Sequence, residues 1–208
     1  ALGAAIVGAG HRHFGAAATD ASRGAAGGRI ETLQLGDHLL DRAARRTGLA
    51  GRPDDLEVGI MVEVPSTALR SSQVLESVDF ASIGTNDLTQ YAMAADRLQG
   101  ELAELLTPWQ PAVIQLVKAT CDGAGERLIG VCGEAAGDPL LALVLVGVGI
   151  RSLSMAAGKI TAVKAALSRH NLEQCRRIAD AALAACSPEE ARTAALKLAD
   201  PSVEVLVS

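Results

Sequence analysis

The sequence predicts an α/β protein built around a parallel β-sheet. From residue 57 onward, short runs rich in β-branched residues alternate with segments of helical periodicity, an order typical of parallel strands joined by right-handed crossovers. Hydrophobic residues make up 49% of the 208-residue chain, which suits a sheet that is buried on both faces. Aromatic residues make up only 2%, so the core is expected to consist of Ala, Val, Leu, Ile and Gly.

Four strands are predicted in this alternating part of the chain. The first is a β-branched run that Pro65 closes, because proline cannot donate a hydrogen bond within a central strand. The third is an apolar run that ends at Cys132, which is followed by a glycine. The predicted strands cover residues 57–64, 80–85, 128–132 and 150–155.

Helical segments are expected between and after these strands. They are predicted over residues 66–77, 139–146 and 160–170, and from Thr89 or Pro111 onward. The Ala-rich stretch 171–198 is expected to form one or two terminal helices. Within it, Ser187 is the predicted N-cap of a helix, with Pro188 in the first turn and Glu190 completing a capping box.

Residues 1–56 do not follow the alternation and are predicted to be a divergent N-terminal segment. Residues 4–10 form an apolar run that ends in glycine and are expected to be a strand, and residues 36–47 have helical spacing. Residues 16–28 are rich in Ala, Gly and Ser without a clear period, which indicates a loop. The predicted boundary therefore separates this segment from residues 57–208.

Charge and composition exclude several classes of partner. The formal net charge is −5 and no basic run is interleaved with aromatic residues, so no nucleic-acid partner is expected. The longest apolar run, residues 139–150, is shorter than the ~20 residues of a membrane span, so no membrane insertion is expected. The four cysteines lack metal-binding spacing, which indicates a reduced, cytoplasmic protein. Cys121, Cys175 and Cys186 are interpreted as small core residues.

Residue types that are common in active sites follow three successive strands. Glu63 follows the first, and Asn86 and Asp87 follow the second. Cys132 ends the third and is followed by Glu134. Because the carboxyl ends of parallel strands meet at one edge of a sheet, these side chains are expected to lie close together and form a site. Taken singly, the acids can also be solvated loop residues and the thiol a core residue.

These motifs resemble the phosphoenolpyruvate-binding barrel of the Enzyme I family, the phosphoenolpyruvate-protein phosphotransferases of the bacterial sugar phosphotransferase system. The resemblance covers roughly residues 57–195, in the order and spacing of the family. It rests on residues 59–65 (GIMVEVP), 82–91 (SIGTNDLTQY), 94–97 (AADR), 132–138 (CGEAAGD) and 152–155 (SLSM). It implies a (β/α)8 TIM-type barrel, of which residues 57–208 would contain the last four β/α units.

The resemblance also implies roles for individual residues. Glu63 and Asp87 match the family's Mg²⁺ ligands, and magnesium usually takes one or two protein carboxylates. Asn86, Asp87 and Arg97 match its substrate contacts. Cys132 matches the acid that protonates the pyruvate enolate after phosphoryl transfer, and a thiol of pKa ~8.5 can exchange a proton near neutrality. The resemblance is not used to assign Glu134, whose role stays open between orienting the thiol and binding through water.

The implied reaction takes a phosphoryl group from phosphoenolpyruvate (PEP), passes it to a histidine on another domain and releases pyruvate. The implied partners are that phosphohistidine domain, a small phosphocarrier protein and a second copy of the chain in a homodimer. The family's phosphate-clamping arginines and its acceptor histidine are not matched in this sequence. His170 lies beyond a predicted helix and is not interpreted as the acceptor.

Three alternatives remain open at this point. Pyruvate phosphate dikinase and phosphoenolpyruvate synthase share the barrel and similar motifs. A metal-dependent pyruvate-enolate aldolase shares the paired Glu and Asp, although it needs no proton-donating cysteine and residues 85–91 count against it. A catalytically incomplete fragment that serves in dimerisation would account for the unmatched first half of the barrel.

Overall fold

The computed structural model describes residues 2–9, 12–20, 40–48, 53 and 56–207. In this part of the chain one mixed sheet has the strand order β2-β1-β3-β4-β5-β6. Its strands are β1 (Leu2–Ala9), β2 (Arg12–Asp20), β3 (Leu56–Val62), β4 (Phe80–Gly84), β5 (Leu128–Cys132) and β6 (Ser152–Ser154). Strand β1 pairs antiparallel with β2 and with β3, whereas β3, β4, β5 and β6 pair in parallel. The predicted α/β class with a parallel sheet is therefore confirmed.

The helices follow the strands in the alternating order that the sequence predicts. They are α1 (residues 40–46), α2 (Pro65–Leu69), α3 (Ser71–Leu75), α4 (Thr85–Met93), α5 (Pro111–Asp122), α6 (Pro139–Gly147), α7 (Ile160–Leu167), α8 (Leu172–Leu183), α9 (Pro188–Leu198) and α10 (Ser202–Val207). Short 3-10 helices lie at Gly100–Leu106, Ala135–Gly137 and Ala157–Lys159. Among the residues that the structure describes, no helix has the length and apolarity that a membrane span requires.

The N-terminal predictions are confirmed in part. The strand expected at residues 4–10 is β1, and the helix expected at residues 36–47 is observed as α1, with residues 36–39 outside the described residues. The loop prediction is wrong for residues 16–20, which lie in β2, and residues 21–28 also fall outside the described residues. Residues 16–20 are extended because they pair with β1. Their run of alanines has no alternation of apolar and polar residues from which a strand could be predicted.

Two helices differ from their predicted bounds. The helix expected over residues 66–77 is divided at Arg70 into α2 and α3, and the Ser71 hydroxyl donates to the carbonyl of Ala119 in α5. The next helix was predicted to begin near Thr89 or at Pro111, and a helix is found at each place. The first of them, α4, begins earlier, at Thr85, directly after β4. Its first turn is held because Thr89 Oγ1 donates to the Thr85 carbonyl at 2.7 Å. Asn86 and Asp87 therefore lie in the first turn of α4 rather than in a loop.

Helix α6 is the centre of the core beside the sheet. Its residues from Pro139 to Leu145 are buried, and it contacts α7, α8, α9 and α10. Asp138 caps its start by accepting the N–H groups of Leu140 and Leu141 at 2.9 and 3.0 Å. Leu206 and Val207 of α10 line one cavity with Gly133 and Pro139, so α10 lies near the edge of the sheet where β5 ends.

The C-terminal helices are capped largely as predicted. Ser187 accepts the N–H of Glu190 at 3.2 Å, which confirms the N-cap of α9. The predicted capping box is wrong in detail, because the Glu190 carboxylate accepts the N–H of Cys186, one residue before the cap. Cys175 is buried in the core as predicted. Cys186 is exposed instead, because it lies in the turn between α8 and α9.

Candidate active site

The predicted site residues lie at the carboxyl edge of the parallel strands. The register pairs Val62 with Ile83 and Gly84 with Cys132, so β3, β4 and β5 end at the same level of the sheet. Glu63 follows β3 directly, and Asp87 lies in the helical turn after β4. The thiol, the acids and the amide that the sequence distributes over 70 positions thus reach one edge.

Two carboxylates form the electrostatic centre of this edge. Glu63 is half-buried, and its side chain covers Gly84, where an added Cβ would lie 3.0 Å from Glu63 Cγ and 3.3 Å from Oε1. The pKa of Glu63 is raised, first by burial and then by the negative charge of Asp87. The two acids therefore repel each other, and a cation placed between them would relieve that repulsion. Residue 84 is a glycine because a side chain there would displace Glu63.

Glu63→Gln is expected to stabilise the metal-free chain at neutral pH. A carboxyl whose pKa is higher in the folded chain destabilises the fold when it ionises, so this cost is present at neutral pH and is lost as the pH falls. The melting temperature of the variant should exceed that of the wild type at pH 7 and converge with it below the ordinary Glu pKa of 4.5. Glu57→Gln, at an exposed position of β3, is the matched control. An equal shift in both variants, or one that persists in acid, would contradict a cost of ionising Glu63 in the folded chain.

Arg97 lies next to Asp87 because the chain reverses after α4. Helix α4 ends at Met93, and Ala94 adopts a left-handed conformation with φ of 50°. Arg97 Nη2 then lies 3.3 Å from Asp87 Oδ1, with the two side chains 50% and 39% exposed. An ion pair this open to solvent contributes little to stability. Its guanidinium therefore remains free to bind another anion at little cost to the fold.

The Cys132 thiol, at the end of β5, contacts the backbone of β4 and a side chain of β3. Its Sγ is 3.6 Å from the carbonyl oxygen of Ile83, to which it can donate, and 3.7 Å from Sδ of Met61. Met61 in turn lies beside Gly84, next to Glu63. Cys132 and Cys121 are both half-buried, and Cys175 is buried. Burial raises the pKa of Cys121, which lies in α5, to about 12 and also raises that of Cys175. Cys132 is thus the cysteine that combines partial exposure with a place at the strand ends.

The loop after β5 is tied to both neighbouring strands. Thr85 Oγ1 donates to the Cys132 carbonyl at 3.4 Å, and the Gly133 N–H donates to the Ser154 carbonyl at 3.2 Å. Gly133 has a φ of 103°, and a Cβ there would lie 3.6 Å from Asn86 Oδ1. The loop therefore brings its backbone close to the Asn86 amide, which is exposed at this edge.

Glu134 and His170 differ from the residues above. Glu134 is exposed, and its carboxylate makes no hydrogen bond or ion pair with another described residue, so it does not hold the thiol directly. Both ring nitrogens of His170 are occupied, because Nδ1 donates to the Ala166 carbonyl at 2.8 Å and Nε2 accepts the Asp200 N–H at 2.9 Å. His170 therefore joins α7 to the turn before α10 and is not free to accept a phosphoryl group.

A cavity of about 910 Å³ adjoins these residues and is called the edge cavity here. It is lined by Asn86, by the segments that follow β5 and β6, and by parts of α9 and α10. Sequence analysis missed its two basic side chains, Lys159 and Arg192. The position of Lys159 shortly after β6 was a usable signal, since residues that follow parallel strands gather at this edge. Nothing in the local sequence of α9 marks Arg192.

The family of the chain follows from comparison with known proteins. The family model described as PEP-utilising enzyme, PEP-binding domain matches residues 37–172. The chain belongs to this family. All the predicted site residues, from Glu63 to Cys132, lie inside the matched range. The resemblance on which the sequence analysis relied is thereby confirmed.

Several curated relatives are similar to the same part of the chain. The phosphoenolpyruvate-protein phosphotransferase of Streptomyces coelicolor is 52% identical over 155 residues, which are 74% of this chain and 27% of the relative. That of Latilactobacillus sakei is 45% identical over 118 residues, or 56% and 21% of the two chains. The multiphosphoryl transfer protein of Xanthomonas campestris is 44% identical over 140 residues, or 66% and 17%. The matched region thus spans about a quarter or less of each relative.

Proposed function

We propose that this chain is the PEP-binding part of a phosphoenolpyruvate-protein phosphotransferase. The observation that carries the proposal is the Glu63–Asp87 carboxylate pair, which lies at one strand edge with Asn86 and the Cys132 thiol in a member of the PEP-binding family. The names of the relatives favour a phosphotransferase over the aldolase alternative.

The four parallel strands would be the last four of a (β/α)8 barrel. Strands β3 to β6, each followed by helices, form a contiguous parallel sheet, as the C-terminal half of such a barrel requires. Among the described residues the sheet is open, with β2 and β6 at its ends. In a complete barrel a parallel strand would pair with β6, and another would pair with β3 at the edge that antiparallel β1 covers here. Residues 1–56 would be the divergent segment, of which residues 37–56 lie inside the family match.

Glu63 and Asp87 would hold Mg²⁺. No group of three or more His, Cys, Asp and Glu side chains is placed to hold a metal among the described residues, so the candidate set is this pair. The pair suits magnesium, which usually keeps several waters and takes its other ligands from substrate oxygens. The pKa of Glu63 is raised first by burial and then by the charge of Asp87, and a divalent cation would relieve the repulsion between the two acids. When bound, the ion would supply positive charge beside the oxygens of the substrate.

The remaining residues would bind PEP and move one proton. Asn86 would donate from its amide, and Arg97 would exchange Asp87 for an oxyanion of the substrate. The P–O bond of PEP breaks as an N–P bond forms to the acceptor histidine, which leaves the enolate of pyruvate. The Cys132 thiol then protonates the methylene carbon, and the thiolate regains its proton from water.

The partners follow from this assignment. The acceptor would be a histidine on another domain, with a small phosphocarrier protein as the next acceptor. The chain would form a homodimer and act in the cytoplasm, in keeping with its four free cysteines. Sedimentation of a single monomeric species at micromolar concentration would contradict the dimer.

A chimera tests the function directly. The matched segment of the Streptomyces coelicolor relative, 52% identical, would be replaced by the corresponding residues of this chain. We expect the chimera to transfer phosphoryl from PEP to protein in a Mg²⁺-dependent manner and to release pyruvate. A chimera that folds and dimerises but transfers nothing would favour the catalytically incomplete fragment. Cleavage of a 2-oxo acid by the isolated chain would favour the aldolase.

A further inference from the structure

The edge cavity is larger than the candidate substrate requires. Its volume of about 910 Å³ lies near the top of the ~300–1,000 Å³ that is usual for small-molecule pockets. It shares Asn86 and Gly133 with the candidate active site, whereas Glu63, Asp87 and Cys132 are not among the described residues that line it. The cavity therefore extends from Asn86 away from the carboxylate pair, toward β6, α9 and α10.

Two cations from separate elements face this extension. Lys159 ends the short 3-10 helix after β6, and its aliphatic stem passes Gly137, where an added Cβ would lie 3.3 Å from Lys159 Cγ. Arg192 lies in α9 and is half-buried. Neither side chain makes a hydrogen bond or an ion pair with another residue in the described part of the chain. Their donors are therefore available to a ligand.

Two carboxylates also line the cavity, but neither is paired with these cations. Asp138 already accepts three N–H groups, from Leu140 and Leu141 through Oδ1 and from Trp109 Nε1 through Oδ2 at 3.0 Å. Its carboxylate is therefore already hydrogen-bonded to the first turn of α6 and to the Trp109 indole. Glu134 is exposed to solvent and bonds to no other described residue.

Apolar side chains also line the cavity. Leu206 and Val207 of α10 and Met155 after β6 line the cavity together with the two cations. A ligand that matches this lining has a compact, negatively charged group attached to a small apolar portion. A phosphoryl group fits the charge, because a phosphate monoester carries about −1.5 to −2 at neutral pH and the arginine fork can bind two of its oxygens.

We propose that Lys159 and Arg192 form a phosphoryl-binding subsite in the edge cavity, next to Asn86. The subsite would take a small organic phosphate, with its phosphoryl dianion between the two cations and its carbon body against α10. This inference deepens the proposed function. The identification of the organic phosphate as PEP rests on that function.

The test uses the 208-residue chain and inorganic phosphate without Mg²⁺, so that the carboxylate pair does not contribute. We expect phosphate to bind, and Lys159→Met and Arg192→Met each to weaken it about ten- to hundredfold, the usual effect of losing a charged hydrogen bond. Lys164→Met and Lys197→Met, at exposed positions of α7 and α9, are matched controls and should leave binding unchanged. Arg192→Lys should restore part of the affinity.

Phosphate that does not bind, or that binds equally to the Lys159→Met/Arg192→Met double variant with its fold verified by circular dichroism, would overturn the proposal. Addition of PEP with Mg²⁺ then identifies the source of the phosphoryl group. Displacement of phosphate by PEP assigns the subsite to the substrate, and simultaneous binding assigns it to a second phosphorylated ligand. Phosphate binding without any Mg²⁺-dependent PEP binding would refute the proposed function and leave the subsite standing.

Discussion

Cys132→Ala, made in the chimera, is expected to lower turnover by about 10²–10⁴-fold, the usual contribution of a general acid. The thiol lies 3.6 Å from the Ile83 carbonyl at the strand edge. It also contacts Met61, which lies beside Gly84 and Glu63. PEP binding should be retained, because Glu63, Asp87 and the Asn86 amide remain. Phosphoryl transfer and proton delivery should therefore separate, and exchange of deuterium into the methyl group of pyruvate should be lost.

Two further variants distinguish proton donation from packing. Cys132→Ser keeps the volume and the hydrogen bond to the Ile83 carbonyl, but its hydroxyl is a much weaker acid. It should be nearly as slow as the alanine variant if the thiol is the proton donor. Cys186→Ala removes an exposed thiol and should have no effect. Full activity of the serine variant would assign Cys132 to packing against Met61.

Asp87→Asn is expected to abolish Mg²⁺ and PEP binding together. The substitution keeps the shape and removes the negative charge that both raises the pKa of Glu63 and pairs with Arg97. The loss should exceed the 10–100-fold that is usual for an outer-shell partner of a metal. Titration calorimetry with Mg²⁺ alone and with Mg²⁺ and PEP measures the two effects separately.

Arg97→Gln is the informative comparison for this variant. In the free chain Arg97 neutralises Asp87, so its removal leaves both carboxylates available to the cation. Mg²⁺ binding should therefore persist while PEP binding weakens by about ten- to hundredfold, as expected for one charge-assisted contact. Equal loss of Mg²⁺ binding in the two variants would mean that the carboxylate pair is not the metal site.

The sequence by itself determined the parallel half of the fold and the members of the candidate site. Strands β3 to β6 were predicted because β-branched runs and their closing residues are local signals. Glu63, Asp87 and Cys132 were located because residues that follow parallel strands gather at one edge, a consequence of topology that strand order alone implies. The Ser187 cap was predictable from a local signal, since a cap depends on residues within one helical turn.

Only the tertiary structure decided how these residues are placed relative to one another. Helix α4 begins at Thr85, whose hydroxyl contacts the Cys132 carbonyl of β5, so Asn86 and Asp87 lie in a helical turn rather than in a loop. The exposure of Cys186 depends on the turn between α8 and α9. That Lys159 and Arg192 line one cavity depends on how α9 and α10 pack against α6. Local sequence carries local conformational preference, whereas the approach of distant side chains is set by the packing of whole elements.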